Sequence, residues 1–231
     1  ADAMIEMIRK MAYRDGFGDL LAEGSYRLAD HYGHPQYSMT AKKLEMPGYD
    51  PRGAQGMGLL YATSNIGASH MAGDIAYSEV FGVPSRLDPL TIEEKPRLVM
   101  RFEDAFTVID AAGLCVFLSV RYMFGPDVNL WPERLTQVMN YATGAEYTED
   151  TLLEAGERIF NLERMFLIKA GFTQADDTLP ERMLMEPMPE GPAQGKVVEL
   201  AQMLPEFYQL RGWDETGVPT KEKLVALGLE V

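Results

Sequence analysis

A chain of 231 residues, 46% of them apolar, has enough hydrophobic material for one sizeable core or two smaller ones, which excludes disorder and a fibrous repeat. Its formal net charge of −14, from 35 acids against 21 bases, argues against nucleic acid and anionic membrane surfaces, which bind through Lys and Arg. The one cysteine, Cys115, excludes an internal disulfide framework, fits a reducing cytoplasmic setting and cannot hold a metal cluster by itself.

The chain opens at Ala1-Asp2-Ala3-Met4-Ile5-Glu6 in a helix-like pattern with no basic region or signal core, as expected of a fragment or a processed chain. Met4, Ile5, Ile8, Met11 and Ala12 recur at helical spacing, and a second helix runs through Leu20, Leu21 and Leu28 to Tyr32-Gly33. From Pro47 to Gly82 seven glycines fall in a stretch with little sustained helical period, which predicts irregular backbone packed closely against something. Thr91 and Glu94 have capping-box spacing before a helix through Leu98, Phe102, Phe106 and Ile109. The apolar stretch Phe106 to Val120, interrupted by Asp110, falls short of the roughly 20 residues a membrane span needs, so a soluble protein is expected.

Further helices are predicted over Trp131 to Tyr141 and Asp150 to Ala170, the latter with an apolar face of Leu153, Ile159, Phe160, Met165, Phe166 and Ile168 and a stop at Gly171. Four prolines between Thr178 and Gly195 read as an extended strap. Helical spacing resumes from Val197 to Leu210, and Thr220 caps a last helix ending at Gly228. The fold class is mainly α: an irregular multi-helical domain with a Gly-rich segment and little β-structure.

Two places can carry chemistry. Asp110-Ala111-Ala112-Gly113-Leu114-Cys115 puts a carboxylate, a glycine and the only thiol together. A ligand with a forked pair of N–H donors, such as the 2-amino and N3–H edge of a pterin, would meet Asp110; Gly113 would let the backbone approach, and Cys115 could offer a thiolate to iron. The same residues also read as an Asp capping a helix followed by a buried Cys acting as a small hydrophobe. His70, in the Gly-rich segment, can move protons near neutral pH or serve as a hydrogen-bonded structural residue. His31 and His34 read as an exposed helix end rather than a metal pair. Hydrolase and nucleotide-binding motifs are missing from the sequence.

Tyr49-Asp50-Pro51-Arg52-Gly53, Tyr61-Ala62-Thr63-Ser64-Asn65 up to His70, and Asp110 to Cys115 make the chain resemble the tungstopterin aldehyde:ferredoxin oxidoreductase family. The likeness continues through Leu21-Ala22-Glu23-Gly24-Ser25-Tyr26-Arg27, Asp177-Thr178-Leu179-Pro180, Glu186 to Pro192 and Leu210-Arg211-Gly212-Trp213, covering nearly the whole chain in the same order. The resemblance implies a tungsten bis-pterin of the molybdopterin type and a 4Fe-4S cluster in the intact enzyme. It gives Asp110 a role in binding pterin N–H groups, Leu114 a role in lining the pterin with its backbone, Cys115 that of the fourth cluster thiolate, and His70 that of a proton donor or acceptor near tungsten. Ala72 stands where a basic residue often meets a pterin phosphate.

By the same resemblance residues 1–39 are the tail of the middle helical domain and residues 40–231 the C-terminal helical domain. The N-terminal pterin- and cluster-binding domain is missing, and with it three cluster cysteines and the first pterin segment, so this piece alone is expected to be inactive and to bind none of these cofactors. The implied activity is oxidation of aldehydes to carboxylic acids with ferredoxin as acceptor, in an anaerobic, cytoplasmic setting, with a homo-oligomer as a further possibility. Two alternatives stay open: another substrate within the family (formaldehyde, glyceraldehyde 3-phosphate or an aromatic acyl thioester), or a non-catalytic helical interaction module.

Overall fold

A computed structural model describes residues 1–82, 86–117 and 133–229. The mainly α expectation is met: among the described residues the one sheet is a two-stranded antiparallel ribbon, β1 (Thr40–Ala41) on β2 (Leu44–Glu45), with Thr40 opposite Glu45. None of the described helices is long and apolar enough to cross a membrane.

Helix α1 (Asp2–Tyr13) carries Asp2 in its first turn and Lys10 in its last, matching the helix dipole, and ends at left-handed Arg14. The single helix expected through Leu20 and Leu28 is instead two, α2 (Phe17–Leu21) and α3 (Ser25–His31). Gly24 separates them at φ 89°, where a right-handed helix cannot continue.

Pro47 to Gly82 needs the largest correction. It holds α4 (Gln55–Thr63), buried at every residue, and α5 (Ala76–Glu79). A helix surrounded by protein has no polar face, so no 3.6-residue stripe betrays it. Its glycines are there for contact: a Cβ at Gly58 would lie 2.5 Å from Val198 Cγ1. The Glu79 carboxylate, from α5, accepts from the backbone N–H of Gly56 (2.9 Å) and Met57 (3.1 Å) at the start of α4, and buried Lys95 donates to it at 2.5 Å.

The capping box at Thr91 is also corrected. Helix α6 (Lys95–Ala111) starts later, after left-handed Glu94 and with Pro96 in its first turn. Thr91 Oγ1 accepts from Glu93 N (3.2 Å), closing a local turn instead.

Helix α7 (Glu133–Thr143) stands where Trp131 to Tyr141 was expected, the first two of those residues lying outside the described ones. Helix α8 (Glu149–Lys169) starts on a capping box of Thr148 and Thr151 and stops before Gly171 at φ 97°. Its buried face differs from the expected one: Leu152, Gly156, Phe160, Asn161 and Arg164 are inside, whereas Phe166 is exposed. The Pro-rich strap contains short α9 (Glu181–Met185). Helix α10 (Leu200–Arg211) follows, and Thr220 caps α11 (Lys221–Ala226) as expected.

The core centres on α4. Met57, Leu59, Leu60 and Tyr61 pack among Val99 of α6, Phe160 of α8, and Phe207, Tyr208 and Trp213 of α10 and its end. A smaller cluster of Phe106, Ile109, Leu135 and Leu152 joins α6, α7 and α8. Helices α6 and α8 approach so closely at Gly156 that a Cβ there would lie 2.1 Å from the Asp104 carbonyl oxygen.

A charged layer runs through this core. The fully buried Arg211 guanidinium donates to Asp104, to Glu103 (2.8 Å) and to the Met100 carbonyl (3.2 Å), and lies 4.0 Å from the Phe160 ring centre. Arg164 forks onto Asp177 at 2.9 and 2.6 Å and covers Trp213. Lys42, projecting from the β1–β2 turn, reaches the same Asp177 at 2.9 Å, and the Tyr208 hydroxyl donates to it at 2.6 Å. Three cations (Lys42, Arg164, Arg211) thus meet three carboxylates (Glu103, Asp104, Asp177), and the buried charge closes to zero.

Asp74 stands apart from that balance. It is buried, no cation pairs with it among the described residues, and burial pushes its carboxyl up to about 6.

Two outcomes follow for stability. Arg211→Gln should lose about 3–5 kcal/mol in denaturant unfolding, because two carboxylates lose their buried cation, whereas Arg97→Gln, which breaks an exposed pair with Glu94, should change stability by under ~1 kcal/mol. Asp74 binds its proton more tightly folded than unfolded, so it costs stability as pH rises from about 4 to about 6. Asp74→Asn should therefore raise stability at pH 7 by about 2 kcal/mol, a gain that vanishes below pH ~4; equal stability of the two proteins across that range would refute this reading.

Candidate functional site

Helix α6 ends in a Schellman motif: Gly113 N donates to Asp110 O (3.0 Å) and Leu114 N to Ile109 O (3.1 Å), with Gly113 at φ 68°. A Cβ on Gly113 would touch nothing within 4 Å, so glycine is there for its backbone conformation and leaves open space beside it. The chain then turns outward with Leu114, Cys115 and Phe117 exposed.

Asp110 is in the last turn of α6. Its carboxylate makes no hydrogen bond among the described residues, and partial desolvation raises its pKa. The side chain therefore caps nothing, and the thiol is not a buried hydrophobe. Asp110 is on the solvent side of α6 and faces a cleft.

That cleft, about 330 Å³, is lined by Thr107, Asp110 and Ala111 of α6, Ser64, Asn65 and Ile66 after α4, Ala72, and Ile159, Phe160 and Glu163 of α8. Asn65 Nδ2 donates to the Phe160 carbonyl (3.0 Å) and to Glu163 Oε2 (3.2 Å). The Asn65 Oδ1 atom is shut off from solvent and has no partner among the described residues. Desolvation raises the Glu163 pKa, the Asn65 hydrogen bond opposes the rise, and the charge of Asp110 adds to it. Among the described residues the lining holds unpaired acceptors and no cation, chemistry that suits an N–H-rich group such as the aminopyrimidine edge of a pterin.

His70 begins a 3-10 turn, His70–Ala72, capped by Ser69 Oγ, which accepts from Met71 N (3.2 Å). Its ring is 5.5 Å from that of Tyr49, tilted by 56°, and burial holds the imidazole below its ordinary pKa. The turn is pressed onto α6: a Cβ at Gly73 would lie 3.0 Å from Leu60 Cδ1 and 3.3 Å from Glu103 N. Through Ala72 this turn borders the Asp110 cleft, although neither His70 nor Cys115 lines it. The two sequence motifs thus adjoin along α6.

His31 and His34 are elsewhere and exposed; His31 meets the edge of Tyr32 and His34 Nδ1 faces Gln36 Nε2 at 3.3 Å. Sequence reasoning missed Tyr49 beside His70, and Asn65 and Glu163 in the cleft. Tyr49 and Asn65 stand inside quoted motifs, whereas nothing in the sequence around Glu163 distinguishes it from other exposed helix acids.

Residues 1–229 match the family model for aldehyde ferredoxin oxidoreductase, domains 2 and 3. The chain is 50% identical over 224 residues to the tungsten-containing aldehyde ferredoxin oxidoreductase of Pyrococcus furiosus, and 49% identical over 224 residues to that of Thermococcus kodakarensis. Each alignment covers 96% of this chain and 36% of the relative, so the chain spans about a third of the length of these proteins. A solved structure, the active site complex BamBC of benzoyl coenzyme A reductase in complex with 1,5-dienoyl-CoA, superposes with a TM-score of 0.69 at 22% identity, covering 96% of this chain and 38% of that one, which shows a shared fold. On the family match and these identities, the chain belongs to the aldehyde ferredoxin oxidoreductase family.

Proposed function

We propose that this chain is the cofactor-facing C-terminal part of an enzyme that oxidises aldehydes to carboxylic acids and delivers the electrons to ferredoxin. The observation that carries the reading is the end of α6: an unpaired carboxylate at Asp110, a left-handed glycine at Gly113 and an exposed thiol at Cys115, beside the turn that bears His70. The aldehyde assignment is supported by the roughly half-identical relatives, against 25% identity to the aliphatic sulfonate oxidoreductase, WOR-like subunit, of Pyrococcus furiosus.

The residues fit a tungsten bis-pterin and a 4Fe-4S cluster. Asp110 would accept pterin N–H groups, the Leu114 backbone would line the pterin in the space that Gly113 leaves open, and Cys115 would supply one cluster thiolate. The other three thiolates and the second pterin segment would come from residues outside this chain. When bound, these groups supply the two-electron chemistry and the one-electron steps toward ferredoxin. Net reaction is aldehyde plus water to carboxylic acid, two protons and two electrons. His70, held neutral near pH 7 by burial, accepts a proton as the oxygen of water joins the carbonyl carbon. Ala72 offers no charge to a pterin phosphate, so that phosphate takes its partners elsewhere. We place the boundary between the middle and C-terminal domains at residues 39 and 40, and the enzyme in the cytoplasm.

In the full-length protein His70→Ala should lower aldehyde turnover by about 10²- to 10⁴-fold with tungsten and iron contents near wild type. Cys115→Ala should instead lose the four-iron electron paramagnetic resonance signal and ferredoxin reduction. Wild-type turnover in the first variant, or an intact cluster signal in the second, would remove that residue from its role. Elemental analysis of the isolated chain should show neither tungsten nor stoichiometric iron, because it offers one thiolate where a cluster needs four.

A further inference from the structure

We infer that Glu163, latched by Asn65, is a second carboxylate that holds the pterin together with Asp110, so that carboxylates from α6 and α8 grip one ligand. The inference rests on the pterin reading of the Asp110 cleft and adds to it two residues which that reading does not use.

The geometry is specific. Asn65 uses both protons of its amide inward, on the Phe160 carbonyl at 3.0 Å and on Glu163 Oε2 at 3.2 Å. That fixes the amide orientation, since exchanging N and O would set an oxygen against the Phe160 carbonyl. The Oδ1 atom is left buried, with no partner among the described residues. Glu163 is in turn held to the cleft wall by one oxygen, and its other oxygen makes no hydrogen bond among the described residues. Asp110 faces the same space with no partner. Electrostatics agrees: the charge of Asp110 acts on Glu163, and among the described residues no Lys, Arg or His lines the cleft to neutralise them.

Such a set recognises a donor-rich ligand that brings more N–H groups than one carboxylate can accept. A pterin does so. After its N3–H and one 2-amino N–H have met Asp110, the second 2-amino N–H and the ring N–H groups still need acceptors. Glu163 supplies one, and Asn65 holds that carboxylate in place. The pair also ties the ligand to α8, which carries no residue of the sequence motifs, and so makes the long central helix part of the binding site.

The test uses the full-length protein. Glu163→Gln is the informative variant, because its amide oxygen still accepts from Asn65 Nδ2 while the charge and the second acceptor are lost; Asp110→Asn is the companion. Thermal melting of the isolated chain carrying each substitution reports folding. Pterin per polypeptide and its release rate, both read from the fluorescent oxidised pterin, report binding without relying on turnover. We expect unchanged melting and about tenfold or faster pterin release, or a correspondingly lower pterin content, in both variants. If Glu163→Gln keeps pterin like wild type while Asp110→Asn loses it, the second carboxylate is refuted and the Asp110 reading stands. If both keep it, or if only Glu163→Gln loses it, the Asp110 reading falls and the shared grip with it. Should Glu163→Gln lower the melting temperature, Asn65→Asp decides the matter: its carboxylate cannot donate to Phe160 or Glu163, and wild-type pterin retention with the latch broken would overturn the proposal.

Discussion

Arg211 is the interaction on which the rest of the architecture depends. A guanidinium withdrawn wholly from water is tolerated only where its charge is balanced and most of its donors are met; here both terminal nitrogens are paired and Nε has no partner among the described residues. Here Glu103 and Asp104 of α6 supply the balance from neighbouring positions, and the rings of Phe160 and Phe207 cover its faces at 4.0 and 5.4 Å. The contact locks the C-terminal end of α10 against the middle of α6 and, through Phe160, against α8. Arg164 repeats the device one layer away, between Asp177 and Trp213, whose indole N–H donates to Asn161 at 2.7 Å. The two halves join through Lys42, which is drawn toward both Asp177 and Glu103. Because each cation depends on carboxylates from a different element, sliding any one helix would expose several uncompensated charges at once.

The site inherits its rigidity from that layer. Lys42 also donates to the Ala62 carbonyl near the end of α4, immediately before Ser64 and Asn65 leave the helix for the cleft wall. Glu103 accepts from Thr63 Oγ1 at 3.1 Å, binding the same end of α4 to α6. Two turns downstream of Glu103, α6 delivers Asp110 to the cleft; and α8, fixed by Arg164, delivers Glu163 from the adjacent position. The proposed site groups at the rim thus stand on the same helices as buried charge pairs, Glu163 next to Arg164 and Asp110 two turns beyond Glu103.

Local signals were legible where solvent draws a contrast. Thr220 was readable as a helix start and Gly171 and Gly228 as stops, and the helix expected from Asp150 begins one residue earlier, at Glu149. Where the surroundings are protein on every side the contrast is lost, and α4 went unread because a buried helix has no polar face. Thr91 failed for another reason: spacing alone cannot tell a capping box from a hydroxyl that closes its own turn. The buried face of α8 was misjudged because Asn161 and Arg164, polar in sequence, are inside, and Phe166 is outside. In the proposed site, Asp110, Cys115 and His70 stand in short motifs of rare residue types, which is what singles them out in the sequence. Glu163 is not singled out, since its meaning depends on Asn65, which is 98 positions away.

The contrast between the two sets of acidic residues is what separates scaffold from site in this molecule. Glu103, Asp104 and Asp177 are more deeply buried than Asp110 or Glu163, yet each has a cation and hydrogen bonds aimed at it, so nothing further is needed to complete them. Asp110 and Glu163 are more open, but they share a cleft with a buried amide oxygen and no positive charge. In an isolated scaffold, two carboxylates facing one cleft without a cation would only repel one another. Their arrangement becomes favourable when a ligand supplies the donors, and Ala72 at the same rim keeps a competing side-chain cation out of the way. Burial alone would have singled out the wrong acids; the distinction lies in which acceptors the protein itself leaves without donors.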